Sequence, residues 1–317
     1  MPKLSPNVVR EGALPRRVMA APIRVGTSGW RYAAWRGSFY PKELPQRAEL
    51  SFLAQRVDSV EINGSFYRLQ RPENYERWFE ATPEDFCFAV KAPRYITHSL
   101  RLRGTELAMA NFLASGVLCL EHKLGPLLWQ LPATLHFEPL VLSSFLEQLP
   151  RDTREAAALA SRHDGRVQSA GGLRNTLTRR VRHALEVRSP TFADEACVAL
   201  LRKFEVALVV ADSAGRFPYL TDLTSDFVYV RLHGAEELYV SGYGPGVLDI
   251  WAQRVQQWAA GGQPADAVLI DRRHAAPQQA REVYVYFDND AKVHAPFDAM
   301  ALRRRLTQTL APALSQR

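Results

Sequence analysis

Short apolar runs alternate with longer helical patterns along almost the whole of this 317-residue chain. Alternation of this kind is the sequence signal for parallel βα units, in which a helix connects each strand to the next. Most of the short runs are continuously apolar, as expected for strands that are covered on both faces. The pattern therefore predicts an α/β protein built on a parallel sheet.

Eight runs qualify as strands, and about eight segments have helical spacing. The predicted strands are 23–28, 58–63, 86–92, 126–132, 182–188, 206–212, 227–234 and 282–289. The predicted helices are roughly 46–56, 72–83, 104–115, 138–149, 152–162, 193–203, 246–260 and 296–310. This count favours a single (β/α)8 TIM-type barrel. A doubly wound open sheet is the alternative, but no glycine-rich phosphate loop follows the first strand.

The predicted barrel spans residues 22–312, and tails flank it on both sides. Residues 1–21 are predicted to form a poorly ordered basic tail, and 313–317 a short C-terminal tail. The polar, glycine-containing stretch near 163–180 is predicted to be a surface insertion before the fifth strand. No run of 18 apolar residues exists, so a membrane span is not expected.

The net charge indicates which kinds of binding partner the chain favours, and the cysteines indicate its cellular compartment. The net charge is +7, from 40 Lys and Arg against 33 Asp and Glu, which favours anionic ligands and can support weak nucleic-acid binding. Cys87, Cys119 and Cys197 are far apart and lack CxxC spacing, which argues against a disulfide framework or a thiolate zinc site. Together with the absence of a signal-peptide pattern, this predicts a cytoplasmic protein.

Nearly every predicted strand ends on a charged or hydrogen-bonding residue. Barrel sites lie at the C-terminal strand ends, because the βα loops converge there. Three pairs are spaced two residues apart and so share one face of a strand, namely Glu61 and Asn63, Glu186 and Arg188, and Arg231 and His233. Further candidates at the same rim are Trp30, Tyr67, Lys91, His98, Gln130, Asp212 and Asn289. If these faces point into the barrel, the side chains converge on one volume.

Two readings of the buried charges remain open from the sequence. Burying Glu, Lys or Arg is costly unless the group is paired or binds something. An internal salt-bridge network would pair Glu61 with Lys91 and Glu186 with Arg231. A ligand site is favoured, since groups of mixed sign in a pocket are suited to orienting a polar substrate.

The donor set distinguishes between kinds of ligand. Glu61, Glu186, Asp212 and His233 suit a divalent metal, but HExxH is absent and the neighbouring cations disfavour this alternative. No nucleotide-cofactor motif is present, because GTSGW lacks the GxGxxG spacing. Lys91, His98, Arg188 and Arg231 instead favour an anionic, phosphorylated ligand.

The pattern also indicates a style of chemistry, should the protein be an enzyme. No serine or cysteine has the surroundings of a nucleophile. General acid–base catalysis by Glu61, Glu186 or His233 is the favoured style. The aromatic rim, which includes Trp30 and Tyr67, is suited to stacking against a flat substrate.

Seven ordered motifs resemble the YecE-like family, the domain-of-unknown-function family number 72. They are GTSGWRYAAWRGSFYPKELP, VEINGSFYRL, FAVKAPRYITH, LGPLLWQLP, RHALEVRSP, VYVRLHG and VYFDND. The resemblance spans roughly residues 22–312 and implies a TIM-type barrel without implying an activity. It marks as characteristic Gly26, Trp30, Glu61, Asn63, Tyr67, Lys91, His98, Gln130, Glu186, Arg188, Asp212, Arg231, His233 and Asn289. Gln70 and Ser189 depart from residues common in the family, so substrate details are expected to differ.

Three function hypotheses follow from these observations. The leading one is a protein that binds or acts on an anionic or phosphorylated small molecule, held by Lys91, Arg188 and Arg231, with acid–base work by Glu61 and Glu186 assisted by His233. The second is a nucleic-acid-binding or nuclease-like protein, in which a metal could take part. The third is a non-catalytic protein that binds a partner.

Overall fold

Nine parallel strands form the centre of the protein in the computed structural model, which describes residues 20–168 and 178–310. The strands are β1 (Ile23–Ser28), β2 (Ser59–Ile62), β3 (Cys87–Lys91), β4 (Leu124–Gln130), β5 (His183–Glu186), β6 (Ala207–Leu208), β7 (Val210–Asp212), β8 (Phe227–Leu232) and β9 (Glu282–Phe287). Their order in the sheet is β6-β5-β4-β3-β2-β1-β9-β8-β7. The predicted α/β class with a parallel sheet is confirmed.

The two edge strands of this sheet are consecutive in the chain, so the sheet curves into a nearly closed barrel. β6 pairs with β5, and β7 pairs with β8 on the opposite edge. Only Val209 separates β6 from β7, and its N–H still donates to the carbonyl of Leu185 in β5. The prediction of eight strands is therefore wrong. The predicted strand 206–212 divides where it leaves one neighbour for the other, and its unbroken apolar run gives no sign of that change.

Helices follow the strands and cover the outside of the barrel. In the described part of the chain they are α1 (Glu49–Ala54), α2 (Gly64–Tyr67), α3 (Pro72–Glu80), α4 (Glu106–Ala114), α5 (Pro139–Glu147), α6 (Thr153–Ala160), α7 (Glu195–Lys203), α8 (Pro245–Ala259) and α9 (His294–Leu310). Pro72 begins α3 and Pro245 begins α8, where the missing N–H costs nothing. Asp152 and Asp194 cap α6 and α7 by accepting backbone N–H bonds.

Alternate strand residues separate the barrel interior from the layer under the helices. Tyr229 and Tyr286 belong to the interior cluster, with small residues such as Ala89 opposite them. Val228 and Val230, one residue away along β8, belong to the larger outer core beneath the helices. Because side chains alternate with a period of two, Arg231 and His233 lie on the interior side with Tyr229. This alternation brings the polar strand ends into one space.

Parts of the predicted tails and insertion lie outside the described residues. These are 1–19 of the predicted N-terminal tail, 169–177 of the predicted insertion near 163–180, and all of the predicted tail 313–317. Among the helices of the described segments, none is both long and apolar enough to cross a membrane.

The first two strands approach each other too closely for a side chain at Gly26. Gly26 is the register partner of Ser59, and a Cβ at position 26 would lie 1.9 Å from the Ser59 carbonyl oxygen. That oxygen belongs to the backbone, which cannot rotate away. Glycine is therefore required here by packing, which gives a physical reason for its place among the characteristic motif positions.

We expect Gly26→Ala to lower the free energy of unfolding by at least about 2 kcal/mol, because β1 and β2 must separate to admit the methyl group. Gly246→Ala is the matched control, since a Cβ there meets nothing within 4 Å and the site is in the first turn of α8. Urea unfolding of both variants measures the difference. Equal stability of the two variants would contradict the close approach.

Candidate functional site

A cavity of about 810 Å³ opens at the C-terminal ends of the strands. Its wall is formed by strand ends and by the loops that follow them. The lining residues are Gly29, Trp30, Arg31, Tyr32, Ile62, Asn63, Gly64, Phe66, Tyr67, Arg68, Gln70, Trp78, Lys91, Arg94, His98, Gln130, Arg188, Tyr239, Asp288 and Asp290. A cavity therefore lies where the site of a barrel protein is expected.

The cavity brings together most of the residues that the sequence predicts to bind a ligand. Those that line it are Trp30, Asn63, Tyr67, Lys91, His98, Gln130 and Arg188. Those that do not are Asp212, Arg231 and Asn289, together with the three predicted catalytic residues Glu61, Glu186 and His233. Five of these six are fully buried, and Asp212 is partly exposed. The predicted site therefore divides into a lining and a buried layer.

Arg231 is the centre of the buried layer. Its Nε and Nη2 atoms lie 3.0 and 2.9 Å from the two carboxylate oxygens of Glu61, a bidentate contact. Its Nη1 lies 2.6 Å from Glu186 Oε2, and its Nη2 lies 2.9 Å from Asp288 Oδ2. Of the two pairs expected for a purely internal network, Glu186 with Arg231 is formed. Glu61 pairs with Arg231 instead of Lys91.

Hydroxyl groups complete the surroundings of Glu61. Tyr229 donates its hydroxyl hydrogen to Glu61 Oε2 at 2.7 Å, and Ser28 donates to Glu61 Oε1. The Ser28 oxygen in turn accepts a hydrogen bond of 2.9 Å from Asn63 Nδ2. Asn63 Oδ1 is buried without a partner among the described residues. Ser28 thus connects the buried carboxylate to a side chain of the cavity wall.

Two further contacts join the buried layer to the wall. Arg188 Nε donates to Glu186 Oε1 at 2.8 Å, while its side chain stays 14% exposed in the cavity. His233 Nδ1 lies 3.0 Å from Asp288 Oδ2, and the His233 ring meets the Tyr239 ring edge to face. His233 Nε2 has no hydrogen-bond partner in the described segments and lies 3.6 Å from Glu186 Oε1.

In the buried layer, the pKa values of Glu186, Asp288 and Arg231 are shifted in the directions that favour their charged forms. Burial alone would raise the pKa of Glu186, but the charges of Arg188 and Arg231 hold it well below its usual range. Burial would likewise raise the pKa of Asp288, but Arg231 and His233 hold it low. The three carboxylates around Arg231 raise its own pKa against the effect of burial. Glu186 and Asp288 are therefore carboxylates at neutral pH and are unsuited to donating a proton.

Lys91 behaves differently, although it is also buried. It is 8% exposed, its Nζ lies 4.2 Å from the centre of the Phe66 ring, and no described residue accepts a hydrogen bond or forms an ion pair with that ammonium. Burial, reinforced by the positive charge of Arg231, lowers the pKa of Lys91 from 10.5 to about 8. Lys91 is consequently a cation that loses its proton easily at the wall of the cavity.

Two more titratable groups line the cavity with shifted pKa values. Burial, and then the negative charge of Asp288, raise the pKa of Asp290 from 3.8 to about 6. Burial, and then the nearby charges of Arg94 and Lys91, lower the pKa of His98 to about 4. His98 Nδ1 lies 2.8 Å from the Thr97 hydroxyl. Asp290 and Lys91 thus have pKa values on either side of neutrality in one cavity, which is typical of acid–base sites.

Three arginines of the lining were not among the sequence candidates. Arg31, Arg68 and Arg94 follow Trp30, Tyr67 and Pro93 in the loops after β1, β2 and β3. Each is exposed, and none of the three guanidinium groups forms a hydrogen bond or ion pair with a described residue. Their place in βα loops was the available signal. Gln70, one of the two departures from the family pattern, also lines the cavity.

The remaining predicted residues have other surroundings. Asn289 donates to the Ser241 carbonyl at 3.0 Å and to Asp298 Oδ2 at 2.8 Å, which ties the loop after β8 to α9. Burial raises the pKa of Asp212, which lies outside the cavity wall. Within 20–168 and 178–310, no three His, Cys, Asp or Glu side chains are grouped so that they could hold a metal ion.

These features define a class of protein, namely a nearly closed parallel barrel with a polar cavity over the C-terminal ends of its strands. Residues 24–317 match the model of the family described as "Protein of unknown function DUF72". The chain belongs to this family, and the resemblance seen in its motifs is confirmed.

Relatives and solved structures agree with this assignment. The UPF0759 protein YecE of Escherichia coli strain K12 is 28% identical over 207 residues, which are 65% of this chain and 73% of YecE. The UPF0759 protein YunF of Bacillus subtilis strain 168 is 35% identical over 75 residues, 24% of this chain and 26% of YunF. A DUF72 family protein of Thermotoga maritima is 24% identical with a TM-score of 0.67, covering 90% of this chain and 99% of its own. That last likeness concerns the fold.

We expect Arg231→Lys to lower the free energy of unfolding by about 3 kcal/mol, because one ammonium cannot serve three carboxylates, two of them fully buried, as a planar guanidinium does. Arg188→Lys is the control, since Arg188 contributes one bond to Glu186 at the edge of the cavity. Urea unfolding at pH 7 compares the two. A loss at position 231 no larger than that at position 188 would contradict the central role of Arg231.

We expect Lys91→Met to stabilise the protein at pH 7 by about 3 kcal/mol, the equivalent of the lowered pKa of Lys91. The folded state disfavours the protonated amine, so this penalty is complete below about pH 8 and disappears as the pH approaches 10.5. Urea unfolding at both pH values measures it.

Lys42→Met is the matched control for this prediction, because Lys42 is exposed and lies outside the cavity wall. Its effect on the free energy of unfolding should be small, because an exposed side chain outside the cavity makes little contribution to stability. Destabilisation by Lys91→Met, or a stabilisation that stays constant between pH 7 and 10.5, would contradict the unpaired state of the Lys91 ammonium.

Proposed function

We propose that the cavity binds a small molecule carrying a phosphate or carboxylate group and acts on it by proton transfer. The observation that carries this proposal is Lys91, a buried cation at the wall of an open cavity that forms no ion pair with any described residue. An unpaired buried charge is costly, and an anionic ligand would remove that cost. The free-energy cost of burying the Lys91 charge would then favour ligand binding, since the ligand relieves it.

The anion would lie between Lys91, Arg94 and Arg188. The guanidinium of Arg188 uses its Nε for Glu186, which leaves its two Nη groups for a ligand. Arginine is suited to this role because its planar donors match a carboxylate or phosphate. Arg31 and Arg68 add positive charge at the entrance, where they would attract the ligand.

The cavity also has room and an apolar wall for the rest of the ligand. Its volume of about 810 Å³ is within the range of small-molecule sites. Trp30 and Trp78 meet edge to face at 5.2 Å, and both line the cavity. The Tyr67 ring is 72% exposed, so its face is free to stack against a flat group. A ligand with an anionic end and a flat or apolar body fits these walls.

Proton transfer is assigned to Lys91 and Asp290, whose pKa values of about 8 and about 6 suit work near neutral pH. The sequence-based hypothesis gave this work to Glu61, Glu186 and His233. We propose that these three are positioning residues, because their side chains are fully buried beneath the cavity and Arg231 holds both carboxylates.

A second candidate function is the binding of a single-stranded nucleic acid. The observation that favours it is a smaller cavity of about 290 Å³, lined in part by Tyr95 and Arg166, which shares Tyr67, Arg68 and Arg94 with the main one. Two adjoining hollows with arginines between them could hold successive nucleotides. The salt dependence of binding distinguishes this candidate from a small anion.

We expect sulfate, which remains a dianion over the whole range, to bind more tightly at pH 6 than at pH 10, because Lys91 loses its charge near pH 8. Lys91→Met and Arg94→Ala should each weaken sulfate binding about tenfold, the loss of one charged contact. Titration calorimetry at low ionic strength measures the affinity.

Arg47→Ala is the control, because Arg47 is exposed and does not line the cavity. A panel of phosphorylated metabolites and short oligonucleotides, followed by thermal melting, then identifies the ligand class. A steep loss of oligonucleotide binding with salt would favour the second candidate. Sulfate binding that Lys91→Met and Arg94→Ala leave unchanged would overturn the proposal.

A further inference from the structure

Lys91 and Lys123 are both buried lysines, but only Lys123 has its donors satisfied. Lys123 Nζ donates to the carbonyls of Phe79 and Thr82 at 2.7 and 2.8 Å and lies 3.3 Å from the Thr82 hydroxyl. The Lys91 amine has the Phe66 ring on one side and the cavity on the other, with no acceptor among the described residues. A purely structural role would require the kind of partners that Lys123 has. Lys91 therefore has the surroundings of a reactive amine.

We propose that Lys91 is a covalent nucleophile, whose amine adds to the carbonyl carbon of an anionic aldehyde or ketone in the cavity and forms a Schiff base. This rests on the proposed anion-binding function and specifies its substrate class. Arg94 and Arg188 would hold the phosphate or carboxylate of such a substrate. The carbonyl group would then face Lys91.

Formation of the Schiff base needs only proton transfers among the substrate and groups of the cavity, with no further reactant. The lone pair of the neutral amine forms the C–N bond while the carbonyl oxygen takes up a proton, and the nitrogen loses one proton to give a neutral carbinolamine. Protonation of the carbinolamine hydroxyl by the carboxylic acid of Asp290 then allows that oxygen to leave as water. The nitrogen lone pair forms the C=N bond of a protonated imine. Hydrolysis reverses these steps and restores Lys91.

The surroundings favour each step. An amine is nucleophilic only when unprotonated, and desolvation together with a neighbouring cation is a known way to achieve this. Burial and Arg231 supply both conditions, and at the resulting pKa of about 8 roughly one amine in ten is neutral at pH 7. Asp290, whose pKa is about 6, keeps a protonated fraction near neutral pH and lines the same cavity. The protonated imine would replace the ammonium as the positive charge beside the buried carboxylates.

Pyridoxal 5′-phosphate is a suitable probe, because it joins an aldehyde to a phosphate on a flat ring. The full-length protein is incubated with it at pH 7, reduced with borohydride, digested and mapped by mass spectrometry. We expect Lys91 to be labelled at least about tenfold faster than Lys42 and Lys123, because its pKa of about 8 leaves part of its amine neutral at pH 7 and it lies in the cavity that would hold the aldehyde. Lys42 lies outside that cavity, and the amine of Lys123 is occupied by its three acceptors. The labelling rate should rise with pH and reach half its maximum near pH 8. Excess sulfate should protect Lys91 and leave Lys42 unchanged.

The alcohol pyridoxine 5′-phosphate separates binding from bond formation, since it cannot form an imine. Lys91→Arg should still bind this alcohol but lose the label, and Lys42→Arg should keep both. Binding of the alcohol to wild type without preferential labelling of Lys91 would overturn the nucleophile and leave the anion site intact. Failure of both the alcohol and sulfate to bind would overturn the anion site and the nucleophile together.

Discussion

Arg231 is the group on which the polar interior of this barrel depends. Its guanidinium reaches carboxylates on β2, β5 and just after β9, and it also contacts Ser28 on β1. Since Arg231 itself lies on β8, five strands of the sheet meet at one planar group. Without it, the buried carboxylates of Glu61 and Glu186 and the partly buried carboxylate of Asp288 would repel one another, and their burial would be far too costly. The same contacts fix the position of Asp288, which faces the cavity.

The buried layer explains why the cavity wall above it has unusual electrostatics. The carboxylates are occupied by Arg231, so they are not available as partners for Lys91, and the charge of Arg231 adds to the effect of burial on the Lys91 amine. Burial, and then the negative charge of Asp288, raise the pKa of Asp290. Glu61 and Glu186 thus pair with Arg231 and not with the Lys91 amine in the cavity wall above them. This arrangement separates a layer of paired charges from the cavity wall, to which the proposed ligand binding and proton transfer are assigned.

Much of the architecture could be predicted from the sequence because the relevant signals are local. The apolar runs gave the strands, and spacing by two gave the pairs such as Arg231 and His233 that share the barrel interior. The division of strand 206–212 could not be predicted, because it depends on which neighbour each half finds across the sheet. The four-residue helix Gly64–Tyr67 was also missed, since a single turn has no periodicity to detect.

For the site, residue identity was predictable but pairing was not. The strand-end pattern identifies Glu61, Lys91 and Arg231 as neighbours, and the internal-network alternative pairs Glu61 with Lys91. In the fold, the bidentate geometry of arginine suits Glu61 better than a single ammonium does. Arg231, from a distant part of the chain, occupies that carboxylate, and among the described residues Lys91 has no hydrogen-bond acceptor or ion-pair partner. Whether the Lys91 amine is paired therefore depends on which side chains meet in the folded structure. No local sequence pattern encodes this, although it is what makes Lys91 a candidate for chemistry.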